Sequence, residues 1–463
     1  MDGWSRVDRS EDDAVLRAER LVARLDAAIG AQVNAILHHP RFQAMEARWR
    51  GVALLVRAAG GAHEVKLKLL SASWLEFGRS MERASEFDQS RLFELVYSGE
   101  FGMPGGEPFG LLVADYEVAH VPDEGGRDPI GILSAAAGVA AAAFCPLVAG
   151  ASPRLLQLDS FADLSRLPDL SRLAEDPALV RWDRLRRRED TRFLGLVAPR
   201  ILLRRPYRAD SRRRTDGFRF QERIEGDGSH LLWGNGAFAF GAVAIRRFRS
   251  SGWFADLRGA PQDEDGGGLV SVLDPFDDGS ESCGRSAQPP VEVRLTSLQD
   301  QEMAELGLVP ISVSYLSDTC VLNSNQSLHR PATYSEAGAN QNARLSAMLQ
   351  YVLCASRFAH YLKVILREEV GRLADTVSIQ RRLDEWLAHY TLGNDDADLG
   401  LRTRFPLRLA SVTVAEQAGR AGAFSCAVRL QPHFQLDDIA TSFHLLAETT
   451  ALPGSRSLAA AGA

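Results

Sequence analysis

Lysine and cysteine are scarce in this 463-residue sequence. Only three of its 53 basic residues are lysines, and the formal net charge of −7 argues against a broadly basic surface for nucleic acid. The five cysteines lie far apart and form no C-x-x-C pair, so neither a disulfide framework nor a zinc site is predicted. We therefore expect reduced thiols, a cytoplasmic location and no nucleic-acid partner.

The sequence also lacks the motifs of the best-known enzyme classes. It has no G-x-x-x-x-G-K-[ST] phosphate loop, no G-x-S-x-G and no H-E-x-x-H. Asp263 and Asp265 resemble the start of a calcium loop, but the terminal glutamate is missing. His38 and His39 would point about 100° apart on a helix, which favours a helix-end role over metal binding. We expect no cofactor and no metal, with a scattered catalytic site as the remote alternative.

A membrane-spanning segment is not predicted either. Residues 130–150 carry no charge and are long enough to cross a bilayer, but Ala and Gly dominate them and Pro146 interrupts them. A buried, tightly packed helix is the better interpretation. The charged N-terminus, MDGWSRVDRSEDD, resembles no secretory signal. We expect no membrane insertion.

What the sequence does have is the composition of a folded protein, with 45% hydrophobic and 24% charged residues. Apolar residues at helical spacing predict an amphipathic helix over 12–37 and a long helix over 342–371. The segment EVKLKLLSAS (64–73) alternates like a strand, and LLVADYEV (111–118) is typical of a buried strand. Residues 233–259 predict a packed helix.

The C-terminal region is predicted to be rich in β-structure. Segments 408–416, 424–431 and 439–447 alternate between polar and apolar residues, which indicates a small antiparallel meander. The fold class is therefore mixed α/β. We predict four parts: an N-terminal helical arm (1–40), a large domain (41–335) with a mobile loop at about 260–290, a C-terminal domain (336–449) and a disordered tail (450–463).

Five segments in order resemble the TssC (VipB, ImpC) family, the large sheath subunits of type VI secretion systems. They are HHPRFQAMEARWRG (38–51), GGEPFGLLVADYEV (105–118), WGNGAFAFGAVAIRRFRSSGWFADLRG (233–259), NARLSAMLQYVLCASRFAHYLKVILREEVG (342–371) and RLQPHFQLDDIATSFHLLAE (429–448). The motif residues to which the resemblance assigns structural roles are Trp49, Arg50, Gly51, Gly106, Pro108, Asp115, Asn235, Phe240, Arg344, Arg357, Phe358 and His360.

The resemblance implies a mechanical function. It implies heterodimers with a small sheath subunit (TssB/VipA-like) that stack with further copies into a helical sheath around an Hcp tube on a baseplate. Contraction would drive the tube outward, and a ClpV-type AAA+ ATPase would act indirectly through the small subunit. Shared sheets of neighbouring subunits would use the C-terminal strands. The candidate interface residues are Phe424, Val428, Leu430, Phe434, Ile439, Phe443 and Leu445.

The sequence also departs from the family pattern. Only 37 residues precede His38, where family members usually have a longer extension that supplies a linking strand, and here those residues predict helix. The alternative hypothesis is therefore a divergent second copy that binds the sheath or the baseplate without polymerising. An enzyme remains the remote alternative.

Overall fold

We analysed a computed structural model of the chain. The residues that the structure describes are 4–123, 125–166, 169–170, 173, 176–208, 218, 220–224, 228, 230–259, 267–270, 290–314, 319–371, 375–394, 397–416, 424–433 and 443–449. Statements below about the structure refer to these residues.

Helices account for most of the regular structure. The α-helices are α1 (Trp4–Leu37), α2 (Pro40–Ala59), α3 (Trp74–Arg83), α4 (Arg91–Phe93), α5 (Pro129–Ala142), α6 (Val180–Arg186), α7 (Ala237–Ser251), α8 (Ser297–Glu305), α9 (Ala337–Ser346), α10 (Leu349–Gly371), α11 (Thr376–Ala388) and α12 (Leu399–Arg404). The shorter helical turns are 3-10 helices at Phe87–Gln89, Pro153–Leu156, Phe161–Arg166, Pro177–Leu179 and Glu189–Phe193, and a π-helix at Glu94–Phe101.

The strands form several small sheets. They are β1 (Leu112–Val118), β2 (Leu147–Ala151), β3 (Leu194–Ala198), β4 (Ile201–Arg204), β5 (Leu232–Gly234), β6 (Leu269–Val270), β7 (Val309–Pro310), β8 (Ser312–Val313), β9 (Cys320–Val321), β10 (Leu407–Glu416), β11 (Phe424–Pro432) and β12 (Phe443–Thr449). The predicted mixed α/β fold class is confirmed.

A parallel sheet in the order β1-β2-β3-β7 forms the centre of the N-terminal region. Its side chains alternate between two cores. Val148 and Val197 pack with α7, whereas Leu147 and Leu196 pack on the opposite side with Trp182 and its neighbours. Because both faces are covered by other elements, β2 and β3 are uniformly buried, as expected for strands of a parallel sheet.

Local sequence signals explain where several helices begin and end. Asp128 caps the first turn of α5, and Pro129 occupies its first position. The uncharged run then leaves the helix before Pro146 and continues as β2. Ser73 and Glu76 form a capping box at the start of α3. Among the described helices, none combines the length and apolarity needed to cross a bilayer.

The C-terminal region is an antiparallel sheet in the order β10-β11-β12, covered by α10 and α11. Its core contains an aromatic cluster in which Trp253 stacks on Phe358 with ring centroids 4.0 Å apart, and Trp386 and Tyr390 surround this pair. The predicted meander is therefore observed; its last strand is described over Phe443–Thr449, and residues 439–442 of the predicted strand lie outside the described residues.

Helix α10 belongs to both regions. Its buried His360 places Nε2 3.0 Å from the carbonyl oxygen of Ala143, and burial lowers the pKa of His360 to about 4. One and two turns later, Lys363 lies 3.6 Å from the ring centroid of Phe101, and Arg367 donates to the carbonyl oxygen of Phe101. Because these contacts span over 200 residues of sequence, α10 ties the C-terminal sheet to the N-terminal core.

Three sequence predictions need correction. The helix expected over 342–371 is two helices, α9 and α10, because residues 347–348 break the helix where Gln326 bridges to Met348. The strand expected over 64–73 is wrong as a sheet strand: the segment is extended but has no pairing partner among the described residues. The mobile loop lies mostly, and the tail entirely, outside the described residues.

Buried charges fasten the end of α1 and the start of α2 to the body. Glu222, only 5% exposed, accepts two hydrogen bonds from the guanidinium of Arg204, and its Oε1 lies 3.1 Å from Nε2 of His38. The Nε of Arg204 is 2.9 Å from Oε1 of Glu46 on α2. Each charge therefore faces an opposite one, which offsets the cost of burying it. His39 caps the N-terminus of α2, where its ring accepts a hydrogen bond from the amide of Arg41, whereas the sequence predicted a histidine at the C-terminal end of a helix.

Aspartate on the buried face of α10 should unfold or aggregate the protein. Leu349 and Leu362 are 0% and 3% exposed, so Leu349→Asp or Leu362→Asp buries an unpaired carboxylate and should lower the free energy of unfolding by more than about 4 kcal/mol. Val364→Asp is the control, because Val364 is 37% exposed on the same helix. Thermal melting checks this, and wild-type melting in both core variants would show the face to be misassigned.

Glu222→Gln should destabilise the fold in a pH-dependent way. Burial raises the pKa of Glu222, but the hydrogen bonds from Arg204 and its charge lower that pKa by more, so it lies below its usual value. A carboxylate with a depressed folded-state pKa stabilises the fold above its unfolded pKa of about 4.3, and this stability is lost as pH falls through the folded pKa.

We expect Glu222→Gln to lose about 3 kcal/mol near neutral pH and to approach wild type only as pH falls through the folded-state pKa, which lies below about 4.3. Urea unfolding from about pH 7 to about pH 3 measures the difference. Glu64→Gln, which changes an exposed carboxylate, is the control. A wild-type–variant difference that does not change with pH would contradict the assigned role of the Glu222 carboxylate.

Candidate assembly surface

Half of the large hydrophobic residues that are exposed in the described part of the chain lie within residues 15–75. They are Val15, Leu16, Leu21, Val22, Leu25, Ile29, Ile36, Met45, Trp49, Val56, Leu67, Leu69, Leu70 and Leu75. Their exposed area is on the order of 1,000 Å², above the ~800 Å² that one partner buries in a standard interface. We call residues 13–75 the N-terminal surface.

Helix α1 carries an apolar stripe that is exposed to solvent. Val15, Val22, Ile29 and Ile36 recur every seven residues, and Leu25 lies between the middle two; all are at least 48% exposed. This is the spacing of a coiled-coil seam, with β-branched residues at one of its two core positions. The stripe therefore lacks a partner within the described chain.

The body of the protein contacts α1 on another face. Asn34 is 8% exposed, and its Oδ1 accepts a hydrogen bond from the backbone of Arg223 at 3.0 Å; Leu37 is also buried. At about 100° per residue, Asn34 lies roughly 160° from the centre of the stripe around the helix. These contacts are confined to the last turn of α1: over residues 13–25 every side of the helix is exposed, so the stripe is uncovered because the helix extends beyond the body.

Helix α2 continues the exposed apolar surface. Met45, Trp49 and Val56 are 49%, 63% and 54% exposed and lie on one face, since they are separated by four and seven residues. The opposite face of α2 packs on α7, where Gly51 allows contact with Phe238: a Cβ at Gly51 would lie 2.4 Å from that ring. The glycine thus fixes which face of α2 is buried and leaves Trp49 outside.

The N-terminal surface is basic within an acidic chain. Residues 13–75 contain nine basic and five acidic side chains, a formal charge of +4, whereas the whole chain carries −7. Arg48 is among the exposed cations, and its Nε is 3.4 Å from Oδ2 of Asp115 on β1. Lys66 and Lys68 likewise pair with Glu107 and Glu100, which also lie outside residues 13–75, so the surface is only weakly basic. A weakly basic, apolar surface suits an apolar partner that carries acidic residues.

Two further motif residues hold the sheet against α7. The side-chain amide of Asn235 donates to the carbonyl oxygen of Tyr116 at 3.0 Å, and its Oδ1 accepts from the backbone of Ala237 at 2.9 Å. Asp115 also bonds Asn235; burial raises the pKa of Asp115, and Arg48 counteracts this. Phe240 is 1% exposed in the same core. Asn235, Asp115 and Phe240 therefore serve contacts inside this chain.

The other motif residues are spread over several elements. Gly106 lies against Glu100, where a Cβ would clash with the backbone, and Pro108 follows in the turn before β1. Arg50 pairs with Glu46 at 2.7 Å. Arg357 packs its guanidinium over Tyr361, and Arg344 is exposed on α9. Together with the buried Phe358 and His360, these positions do not converge on one site.

The predicted interface residues of the C-terminal sheet are divided between core and strand edge. Phe424, Val428 and Leu430 are at most 7% exposed, and their strand β11 is central, so both of its backbone edges are already paired. Phe443 and Leu445 belong to β12, at the edge of this sheet. Phe434 and Ile439 lie outside the described residues.

The other edge of this sheet is partly closed by helix α11. The backbone amides of Val412 and Val414 on β10 donate to Asp384 Oδ1 at 3.2 Å and Gln380 Oε1 at 3.5 Å. These acceptors are four residues apart on α11, so they follow the strand edge. A strand added at β10 would have to displace both bonds, whereas β12 has no such cover among the described residues.

Buried carboxyl groups with raised pKa values serve internal bonds. Burial raises the pKa values of Asp256, Glu292 and Asp300. Asp256 pairs with Arg247 and accepts from Gly267; Glu292 accepts from Ser160; Asp300 accepts from Ser312 and Asn323. In the described residues, no group of three or more potential metal ligands is present. The arrangement therefore suits structural support.

Sequence reasoning placed the N-terminal helix but missed that its apolar stripe is exposed. The seven-residue spacing of Val15, Val22, Ile29 and Ile36 was the available signal. It also missed Arg204 and Glu222, which are 18 residues apart in sequence and carry no motif.

Comparison with known proteins assigns both halves of the chain to one family. The family model described as "EvpB/VC_A0108, tail sheath N-terminal domain" matches residues 19–329, and the model described as "EvpB/VC_A0108, tail sheath gpW/gp25-like domain" matches residues 338–449. The matched ranges together include both the N-terminal surface from residue 19 onward and the C-terminal sheet.

A curated relative, the "Type VI secretion system sheath protein TssC1" of Pseudomonas aeruginosa, is 33% identical over 441 residues, 94% of this chain and 86% of its own length. The crystal structure of a sheath tail protein from Desulfitobacterium hafniense has 9% identity and a TM-score of 0.31 over 69% of this chain and 60% of that chain, too low a score to establish a common fold. From the two family models and the curated relative, this chain belongs to the type VI secretion sheath family, as a large subunit of the TssC/VipB type.

Proposed function

We propose that this chain is a structural large subunit of a type VI secretion sheath and that its N-terminal surface binds the small sheath subunit. The observation that carries the second part is the exposed apolar stripe of α1, which no described part of the chain covers. In water such a stripe is an unfavourable exposure unless a partner covers it. The charge of +4 on residues 13–75 favours an acidic partner.

The proposal extends to the assembled machine. Heterodimers would stack with further copies of this chain into a helical sheath around an Hcp tube on a baseplate, and contraction would drive the tube outward. A ClpV-type ATPase would act indirectly through the small subunit. Contacts that repeat without closing on themselves generate such helical filaments. The position of β12 at the edge of the C-terminal sheet supports strand sharing between copies.

We also propose a non-enzymatic, cytoplasmic protein with two sheath domains, 41–335 and 336–449. The raised carboxyl pKa values arise in internal pairs, which supports a mechanical role. Cys145, Cys320, Cys354 and Cys426 are buried free thiols, as is usual in reducing compartments. The two family models meet near residue 335, which supports the domain boundary.

Co-expression with the small sheath subunit of the same secretion cluster tests the assembly. We expect heterodimers that build tubular, helical assemblies, which electron microscopy would reveal. A soluble complex of fixed size that never forms tubes would contradict the polymerising role and favour an accessory protein. No complex at all would count against the partner itself.

Charges on the α1 stripe should abolish binding without harming the fold. Leu25 and Ile29 are 61% and 48% exposed, so Leu25→Asp/Ile29→Asp should change the melting temperature little. Binding to the small subunit should weaken at least ~100-fold, because each buried aliphatic side chain contributes about 1.5–3 kcal/mol. Isothermal titration calorimetry measures the affinity.

The matched control is Ala23→Asp/Ala27→Asp. It adds the same charge to the same helix on its other face, and both alanines are exposed. We expect the control to bind within about threefold of wild type, since its carboxylates stay in water. An equal loss of affinity in the two double variants would show that the added charge or a less stable helix, rather than the stripe, weakens binding.

A further inference from the structure

The segment after α2 is an extended chain without a sheet. Residues 65–73 contain no helix or strand pairing, and no backbone hydrogen bond involves residues 66–71 among the described parts of the chain. The backbone is bonded only at the two ends: the amide of Val65 donates to the carbonyl oxygen of Ala62 at 3.2 Å, and the carbonyl oxygen of Ala72 accepts from Tyr116 Oη at 2.8 Å. Between these points the peptide groups are free to pair.

Side chains hold this segment in its extended form. Lys66 and Lys68 pair with Glu107 and Glu100 in the loop before β1, and Lys68 also lies 5.2 Å from the ring centroid of Phe109. The pKa of Glu100 is lowered by its hydrogen bond from Lys68, in keeping with an attractive pair. These two residues are two of the three lysines in the whole chain. Alternate side chains therefore anchor one side of the segment.

The residues between and after the lysines are apolar and exposed. Leu67, Leu69 and Leu70 are 46%, 69% and 60% exposed. Lys66 and Lys68 share one side of an extended chain and Leu67 and Leu69 the other, because successive side chains alternate. An extended segment with free peptide groups and an apolar side is the binding element in strand addition.

We propose that residues 66–71 accept a β-strand of the small sheath subunit. The inference rests on the proposed function and names one point at which that partner binds. The incoming strand would pair with the free peptide groups and place apolar side chains against Leu67 and Leu69. Acidic residues beside it would complement the charge of +4 on residues 13–75. Because the segment is already extended, binding costs little ordering entropy.

A second copy of this chain fits the segment less well. Two identical segments that pair antiparallel form a closed two-fold dimer, which cannot extend into a helical sheath. Parallel, in-register pairing would set Lys66 and Lys68 opposite their own copies, and like charges directly opposite are unfavourable. A different chain avoids both problems.

Proline substitution separates backbone pairing from side-chain contact. Leu67→Pro/Leu69→Pro removes two amides that donate to nothing in the described chain, so the free protein should keep its melting temperature. The control Leu67→Val/Leu69→Val keeps both amides and favours a strand. We expect the proline variant to bind the small subunit at least ~10-fold more weakly and the valine variant to bind within about threefold of wild type.

Hydrogen–deuterium exchange on the wild-type full chain gives an independent readout. Alone, the amides of residues 66–71 should exchange rapidly, because they are unpaired. With the small subunit added, alternate amides should slow at least ~100-fold, since only every second amide points to the new strand. The measurement needs only a mixture of the two purified proteins.

The outcomes distinguish this inference from the proposed function. If the wild-type chain does not bind the small subunit, the proposed function itself fails. If it binds, but residues 66–71 stay unprotected and the proline variant binds like wild type, only the strand-acceptor inference is overturned. If the amides of residues 66–71 in the isolated chain exchange more slowly as the concentration of the chain rises, the segment binds a second copy of the chain instead.

Discussion

The buried ion pair between Arg204 and Glu222 controls how the N-terminal surface is presented. Glu222 is bound at the same time to His38 at the end of α1, and Arg204 to Glu46 on α2, so the two helices meet the body at one fixed point. Two opposite charges that are buried away from water stay paired, because an unpaired buried charge is energetically costly. The C-terminal end of α1 is thereby held in place, and the apolar stripe before it is exposed to solvent.

An exposed stripe, an exposed face of α2 and an unpaired extended segment follow one another along residues 13–75. In a protein that acts alone, each of these features would promote aggregation, since exposed apolar surface and unpaired strand edges bind other chains. In the proposed sheath these same features would form the interface with the small subunit. A well-packed core beside an exposed apolar surface is what such a component of a larger assembly requires.

Helix α10 gives the subunit mechanical continuity. Phe358 stacks on Trp253 in the C-terminal core, and two residues later His360 bonds the carbonyl oxygen of Ala143 in the N-terminal region. A close-packed interior transmits strain with little compression. Force applied to the C-terminal sheet therefore reaches the parallel sheet through one helix rather than through a flexible linker.

The sequence by itself determined the mixed fold class, the N-terminal helix, the C-terminal meander and, through five ordered segments, the family. Those features depend on local periodicity and on residues near one another in the chain. Tertiary structure alone decided which apolar residues are covered: Leu362 and Leu25 are equally good core residues by pattern, yet one is 3% and the other 61% exposed. It also decided that 64–73 joins no sheet, because strand pairing depends on a distant partner strand, and the described residues supply none.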